Sequence, residues 1–353
     1  MRVGQITNIQ SNRSNVVSDS ISFGTYNPSA AKKIEKELAQ KGFMCDVKGN
    51  DFVGECYKKT VAVFNKLFGK PYMPKKLAYE ELYEGAYGVY DCIANEVSIN
   101  KYYNYGCFEN MDKLKAKARE MHGFILPGWN SSKHPGHVFM HEFAHAAHWH
   151  HLRFRNGQEN AMKVWQGLVG TTVPTGIGRL IAKFKLSEYA VEANDMCEFM
   201  AERIAKDVCR GLNEDAWTQE KPIDVKYDNI FSRKWDYRYS SPQAYIDYFT
   251  QQVWNGDIDG ANRTGRMAEE YLKEIESAER VAPTVTKIAN VLDHIPKGET
   301  KESRPLIYKI GSFISKQAVN ANKKLTQFLD ERNKLRVHKD NDDDEDKYKQ
   351  LLH

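Results

Sequence analysis

The sequence predicts an α+β fold: a small sheet, one helix dense in histidine, a second helix carrying paired glutamates, and mainly helical additions at each end. Three stretches carry that prediction. "AYGVYDCIANEVSIN" (residues 86–100) reads as two short strands joined by a turn near Asp91 to Asn95. "HVFMHEFAHAAHWHHL" (137–152) and "LSEYAVEANDMCEFMAERIAKDVCRG" (186–211) place apolar residues at the three-to-four spacing of helices.

Residues 1–24 are rich in Ser, Asn and Val without a helical period, and read as a disordered polar leader. Residues 25–80 read as a small helical segment. In it, "NPSAAKKIEKELAQKG" has Asn27 or Ser29 as its cap and Gly42 as its stop, and "ECYKKTVAVFNKLFG" ends at Gly69. Residues 81–215 form the core, in which the predicted strands are followed by a helix at "NMDKLKAKAREMHG" and a breaker-rich loop at "FILPGWNSSKHPG". Pro135 suits the start of the histidine helix, where a missing N–H is harmless. Residues 216–280 are a helical extension containing "SSPQAYIDYFTQQVWNG" and "RMAEEYLKEIESAERVA". Residues 281–353 are a charged helical tail with an acidic end, "KDNDDDEDKYKQ".

Bulk composition narrows the function. Lys plus Arg (51) exceeds Asp plus Glu (47) by only four, and the cations are not clustered, so nucleic acid is not an expected partner. No run approaches the ~18 apolar residues of a membrane span, so no membrane partner is expected either. The amino terminus lacks the apolar core of a secretory signal, which suggests a cytoplasmic protein or one exported without a cleavable signal. The six cysteines form no CxxC pair and read as ordinary thiols.

The chemistry is concentrated in the histidine segment, which holds six of the chain's 11 histidines. His141-Glu142-Phe143-Ala144-His145 is an H-E-x-x-H pentapeptide. Residues four apart on a helix lie about 40° apart, so both imidazoles can reach one zinc ion, with Glu142 turned toward a water beside it. His137, His141, His145 and His148 fall on one stripe, and Phe139, Met140, Phe143, Ala146 and Ala147 lie opposite. The apolar side should pack into the core while the histidines look into a cleft, with His137 and His148 lining it. Two residues compete to be the third ligand. His151 continues the spacing of a three-histidine, metzincin-like site, but His148 stands where the turn in that pattern uses glycine. Glu198 and Glu202 sit four apart beside the apolar stripe of the second helix. Carboxylates on a covered helix need a cationic partner, which favours Glu198 as ligand and Glu202 as the outer carboxylate orienting a histidine.

"HEFAH" followed by "YAVEANDMCEFMAE" resembles the gluzincin peptidases of the anthrax lethal factor type, found in bacteria and phages. The resemblance spans about residues 80–210; Ala144 stands where the family often has glycine. It implies a zincin-like core and a zinc endopeptidase acting on peptide or protein substrates. By that likeness His141, His145 and Glu198 hold one zinc ion, Glu142 is the general base, Glu202 the outer carboxylate, and Tyr189 steadies the oxyanion. The hairpin matches the one before the active-site helix, whose edge strand binds substrate backbone. A non-catalytic, metal-stabilised binding or assembly module is the alternative; the intact Glu142 speaks against it.

Overall fold

A computed structural model of the chain describes residues 2–3, 27–83, 86–101, 107–122, 130–184, 189–192, 195–212, 217 and 242–293. The fold is mixed α+β, mostly helical, with one small sheet. The chain divides into two units, residues 1–277 and 278–353. Of the second, only the end of one helix is described, and the remaining tail lies outside the described residues.

The first helix, α1 (Pro28–Gln40), starts where the Asn27 side chain accepts the Ala30 N–H at 3.1 Å. Asn50 does the same for α2 (Asp51–Leu67), accepting from Val53 N at 3.0 Å. The sheet has the order β1 (Arg2–Val3), β4 (Gly88–Asp91), β5 (Glu96–Asn100), β3 (Lys76–Glu80), β2 (Met44–Asp46). The pairs β2–β3 and β3–β5 are parallel; β4 runs antiparallel to β5, and β1 antiparallel to β4. The hairpin between β4 and β5 turns on Asp91, whose Oδ1 accepts from Ile93 N and Ala94 N, and on Asn95 at φ 52°.

Four expectations about the order and extent of the elements need correction. Arg2–Val3, inside the expected leader, pair with Tyr90 and Asp91; the other leader residues up to 24 lie outside the described residues. The segment 25–80 contributes two strands, β2 and β3, as well as its helices. Helix α5 (Thr175–Phe184) was not foreseen. The single helix expected over 186–211 is two: α6 (Tyr189–Glu192) and α7 (Met196–Gly211). The break is local chemistry, because Asp195 adopts extended φ/ψ and its carboxylate accepts from Cys197 N and Glu198 N, starting a new helix.

The remaining helices are α3 (Met111–His122), α4 (His137–Val169), α8 (Pro242–Trp254) and α9 (Ile258–Asp293). Helix α4 is broken at Gly157, where φ is 73° and ψ 167°, a conformation glycine reaches without strain. Its Phe139 and Phe143 pack against Tyr57 and Phe64 of α2, with ring centroids 5.3 and 5.4 Å apart for the Tyr57–Phe139 and Phe64–Phe143 pairs. The Tyr57 hydroxyl reaches past them to main-chain oxygens of Ala78 and Val97, tying α2 to the sheet. On its other side α4 is covered by α7 and α8, so that every residue from 137 to 150 is buried. The histidine stripe therefore meets protein instead of an open cleft. Cys45, Cys56, Cys92, Cys197 and Cys209 form no disulfide among the described residues. No helix among the described residues is long and apolar enough to cross a membrane.

Candidate metal centre

Two helices that are far apart in sequence form the centre. Helix α4 supplies His141, Glu142 and His145; the first turn of α7 supplies Glu198, and its next turn Glu202. Because Asp195 caps α7, Glu198 occupies the third helical position and points from the helix start onto α4.

Three atoms converge. His141 Nε2 lies 3.1 Å from Glu198 Oε2, His145 Nε2 3.3 Å from the same oxygen, and the two imidazole nitrogens 3.1 Å from each other. A tetrahedral ion with bonds of about 2.0–2.1 Å spaces its ligands about 3.3–3.4 Å apart, so this triangle and its N, N, O donor set fit zinc. All three side chains are buried. Glu202 stands behind: its Oε1 is 2.9 Å from His141 Nδ1. A carboxylate oxygen only accepts, so His141 donates from Nδ1 and keeps Nε2 free in the neutral ring.

Glu142 is 0% exposed, and neither of its oxygens has a hydrogen-bond partner. Burial pushes its carboxyl up to about 8; Glu198 and Glu202 add to the shift and His141 opposes it. Strand β4 comes close enough that a Cβ on Gly88 would lie 2.7 Å from Glu142 Cγ and 2.8 Å from Oε1. Only glycine admits that approach. Burial alone would lower His141, yet its bonds to Glu198 and Glu202 hold it well above 6.5. For Glu198 and Glu202 burial would raise the carboxyl, but the neighbouring histidines more than offset it and both are held low. Tyr189 is also drawn in: its ring centroid is 5.9 Å from that of His141, and its hydroxyl hydrogen-bonds Glu198.

The other histidines are fastened elsewhere. His148 Nε2 bonds Val253 O at 3.0 Å and its ring stacks on Trp254. His150 Nε2 lies 3.1 Å from Asn95 Oδ1. His151, the rival third ligand, lies 3.2 Å from Asn255 Oδ1, its ring 4.4 Å from that of Trp254. It stays off the donor group because α4 runs unbroken to Gly157, and six residues of helix past His145 turn the chain by about 240°. His137 Nε2 is 3.0 Å from Ser131 Oγ and 3.4 Å from Glu202 Oε1, behind the centre and not lining a cleft.

Sequence reasoning missed Gly88, Asp195 and Ser131. Glycine inside a strand pattern was a usable signal for the first, and the Asp-x-x-Glu spacing at a helix start for the second. Nothing local marks Ser131, whose partner Glu202 is 71 residues away. No family model matches the chain, and no solved structure matches it.

Proposed function

We propose that this chain is a zinc-dependent endopeptidase with a zincin-like core of the gluzincin type. One observation carries the reading: His141 Nε2, His145 Nε2 and Glu198 Oε2 lie within 3.3 Å of one another on the same helical framework as a buried, unpartnered carboxylate, Glu142. A metal ligand set alone would not require Glu142, and a buried carboxylate left unpaired is retained where it has proton transfer to perform.

His141, His145 and Glu198 hold one zinc ion in this reading. Bound zinc supplies Lewis acidity toward water and a carbonyl oxygen, and its charge keeps the nearby Glu142 ionised near neutral pH. Glu142 takes a proton from the attacking water and passes it to the leaving amine nitrogen. Glu202 fixes the ring of His141 through Nδ1. The Tyr189 hydroxyl, at the edge of the centre, donates to the developing oxyanion. The substrate is a peptide or protein; neither nucleic acid nor membrane has a part in the reaction.

The test is to incubate zinc-loaded protein with a mixed peptide library and read new termini by mass spectrometry. Wild type cuts, and Glu142→Gln keeps zinc but does not cut. A second reading, a metal-stabilised binding or assembly module without turnover, is favoured by the complete burial of His141, Glu142 and His145. It predicts that zinc-loaded wild type cuts nothing.

A further inference from the structure

Ser131 and His137 stand behind the centre, and their hydrogen bonds can be followed proton by proton. Ser131 Oγ lies 3.1 Å from the main-chain oxygen of Glu202, which can only accept, so the hydroxyl proton is directed there. The same Oγ lies 3.0 Å from His137 Nε2. With its proton committed, Oγ can only accept from that side, and His137 must carry its hydrogen on Nε2. That N–H also faces Glu202 Oε1 at 3.4 Å. The main-chain N–H of Ser131 donates to Glu202 Oε2 at 2.9 Å. Glu202 Oε2 is therefore fixed by a donor outside the metal ligand set, and the His137 N–H lies beside Oε1.

We propose that Ser131 and His137 are positioning residues of the metal centre, holding Glu202 so that it locks His141 in its Nδ1–H tautomer. The inference rests on the metal reading above. Ser131 can do this because its own loop is anchored: Asn130 N donates to Met121 O at 3.1 Å, and His122 Nδ1 lies 3.1 Å from Asn130 O, both at the end of α3. The chain of bonds thus runs from α3 through the buried Asn130 and Ser131 into α7 and onto α4. His145 has no such backing, since its Nδ1 is buried without a partner, so orientation through an outer carboxylate falls on His141 alone. His148, also buried on α4, bonds Val253 O and stacks on Trp254 of α8, which makes it a fair control.

The experiment measures Zn2+ affinity by chelator competition and the visible absorption of bound Co2+ for wild type, His137→Phe, His137→Gln, Ser131→Ala and His148→Phe. Losing the outer partner of a ligating histidine lowers metal affinity by about 10–100-fold; His137 acts through that partner, Glu202, so His137→Phe is expected to lose about 10-fold, the low end of that range, with an altered cobalt spectrum. His137→Gln, whose amide can donate in place of Nε2–H, recovers most of it. Ser131→Ala loses less, because its main-chain N–H remains, and it decides the matter if His137→Phe does not fold. His148→Phe unfolds more readily but binds Zn2+ as wild type does. Wild-type Zn2+ affinity and an unchanged cobalt spectrum in both His137→Phe and Ser131→Ala overturn this inference while leaving the metal reading intact. An equal loss in His148→Phe overturns it too, by showing a general packing effect. Wild type that binds no Zn2+ overturns the metal reading and this inference together.

Discussion

Replacing Glu142 with glutamine should change how the ion-free protein responds to pH. Both carboxylate oxygens of Glu142 are buried without a partner. Burial, reinforced by Glu198 and Glu202 against His141, pushes its carboxyl from 4.5 up to about 8. The folded-state value lies above the unfolded one, so between those values the folded chain holds a proton that the unfolded chain has released. The stability this gives is fully present below about pH 4.5 and is lost as pH rises toward about 8. At about 1.4 kcal/mol per unit, the loss between pH 5 and pH 8 is roughly 3 kcal/mol. Glutamine does not titrate, and the burial of its amide weighs equally at both pH values. Urea unfolding of wild type and Glu142→Gln, each kept in excess chelator, should therefore show the variant gaining on wild type by roughly 3 kcal/mol from pH 5 to pH 8. Parallel stability curves would refute the argument, because they would mean Glu142 is solvated or paired in the folded chain.

Three other outcomes follow from the geometry. Gly88→Ala sets a methyl 2.7 Å from Glu142 Cγ, and should destabilise by about 1–3 kcal/mol in urea unfolding, with part regained in Gly88→Ala/Glu142→Ala. Because His141 is held protonated well above 6.5 by Glu198 and Glu202, Zn2+ must displace that proton; calorimetry in buffers of different ionisation enthalpy should show proton release, and affinity should rise with pH. Arg203 bonds Asp207 Oδ2 at 3.0 Å and Asp247 Oδ1 at 2.9 Å, joining α7 to α8, so Arg203→Met leaves buried Asp247 without its cation and Asp207 with only Arg210, 3.6 Å away. A loss of about 3–5 kcal/mol in urea unfolding is expected.

The parts of this fold that could be read from the chain are those where one physical period dominates. The hairpin at 86–100 and the helix at 137–152 declare themselves because every residue follows the pattern of its element. Strands β2 and β3 do not: one is three residues long, the other reads "KLAYE", and both take their conformation from neighbours in the sheet. The long apolar run at 186–211 concealed a break because Asp195 can either continue a helix or cap one, and its bonds to Cys197 N and Glu198 N choose the cap. At the site, His141, Glu142, His145, Glu198 and Glu202 were named from spacing, and the structure brings those five together with Tyr189. The expected cleft beside the histidine stripe was not legible as wrong. Whether a helix face meets solvent or α7 and α8 is set by segments more than 40 residues away. His148, His150 and His151 share the composition of the ligands, yet their partners Val253, Asn95 and Asn255 lie on elements whose approach no local pattern reports.

The central claim is that His141, His145 and Glu198 form one zinc site. Zinc content per chain, measured on purified wild type, Glu198→Ala and His151→Ala after reloading and desalting, tests it most directly. The account predicts about one zinc per chain in wild type and in His151→Ala, and a large loss in Glu198→Ala. Retention of zinc by Glu198→Ala, or its loss from His151→Ala alone, would contradict the site described here.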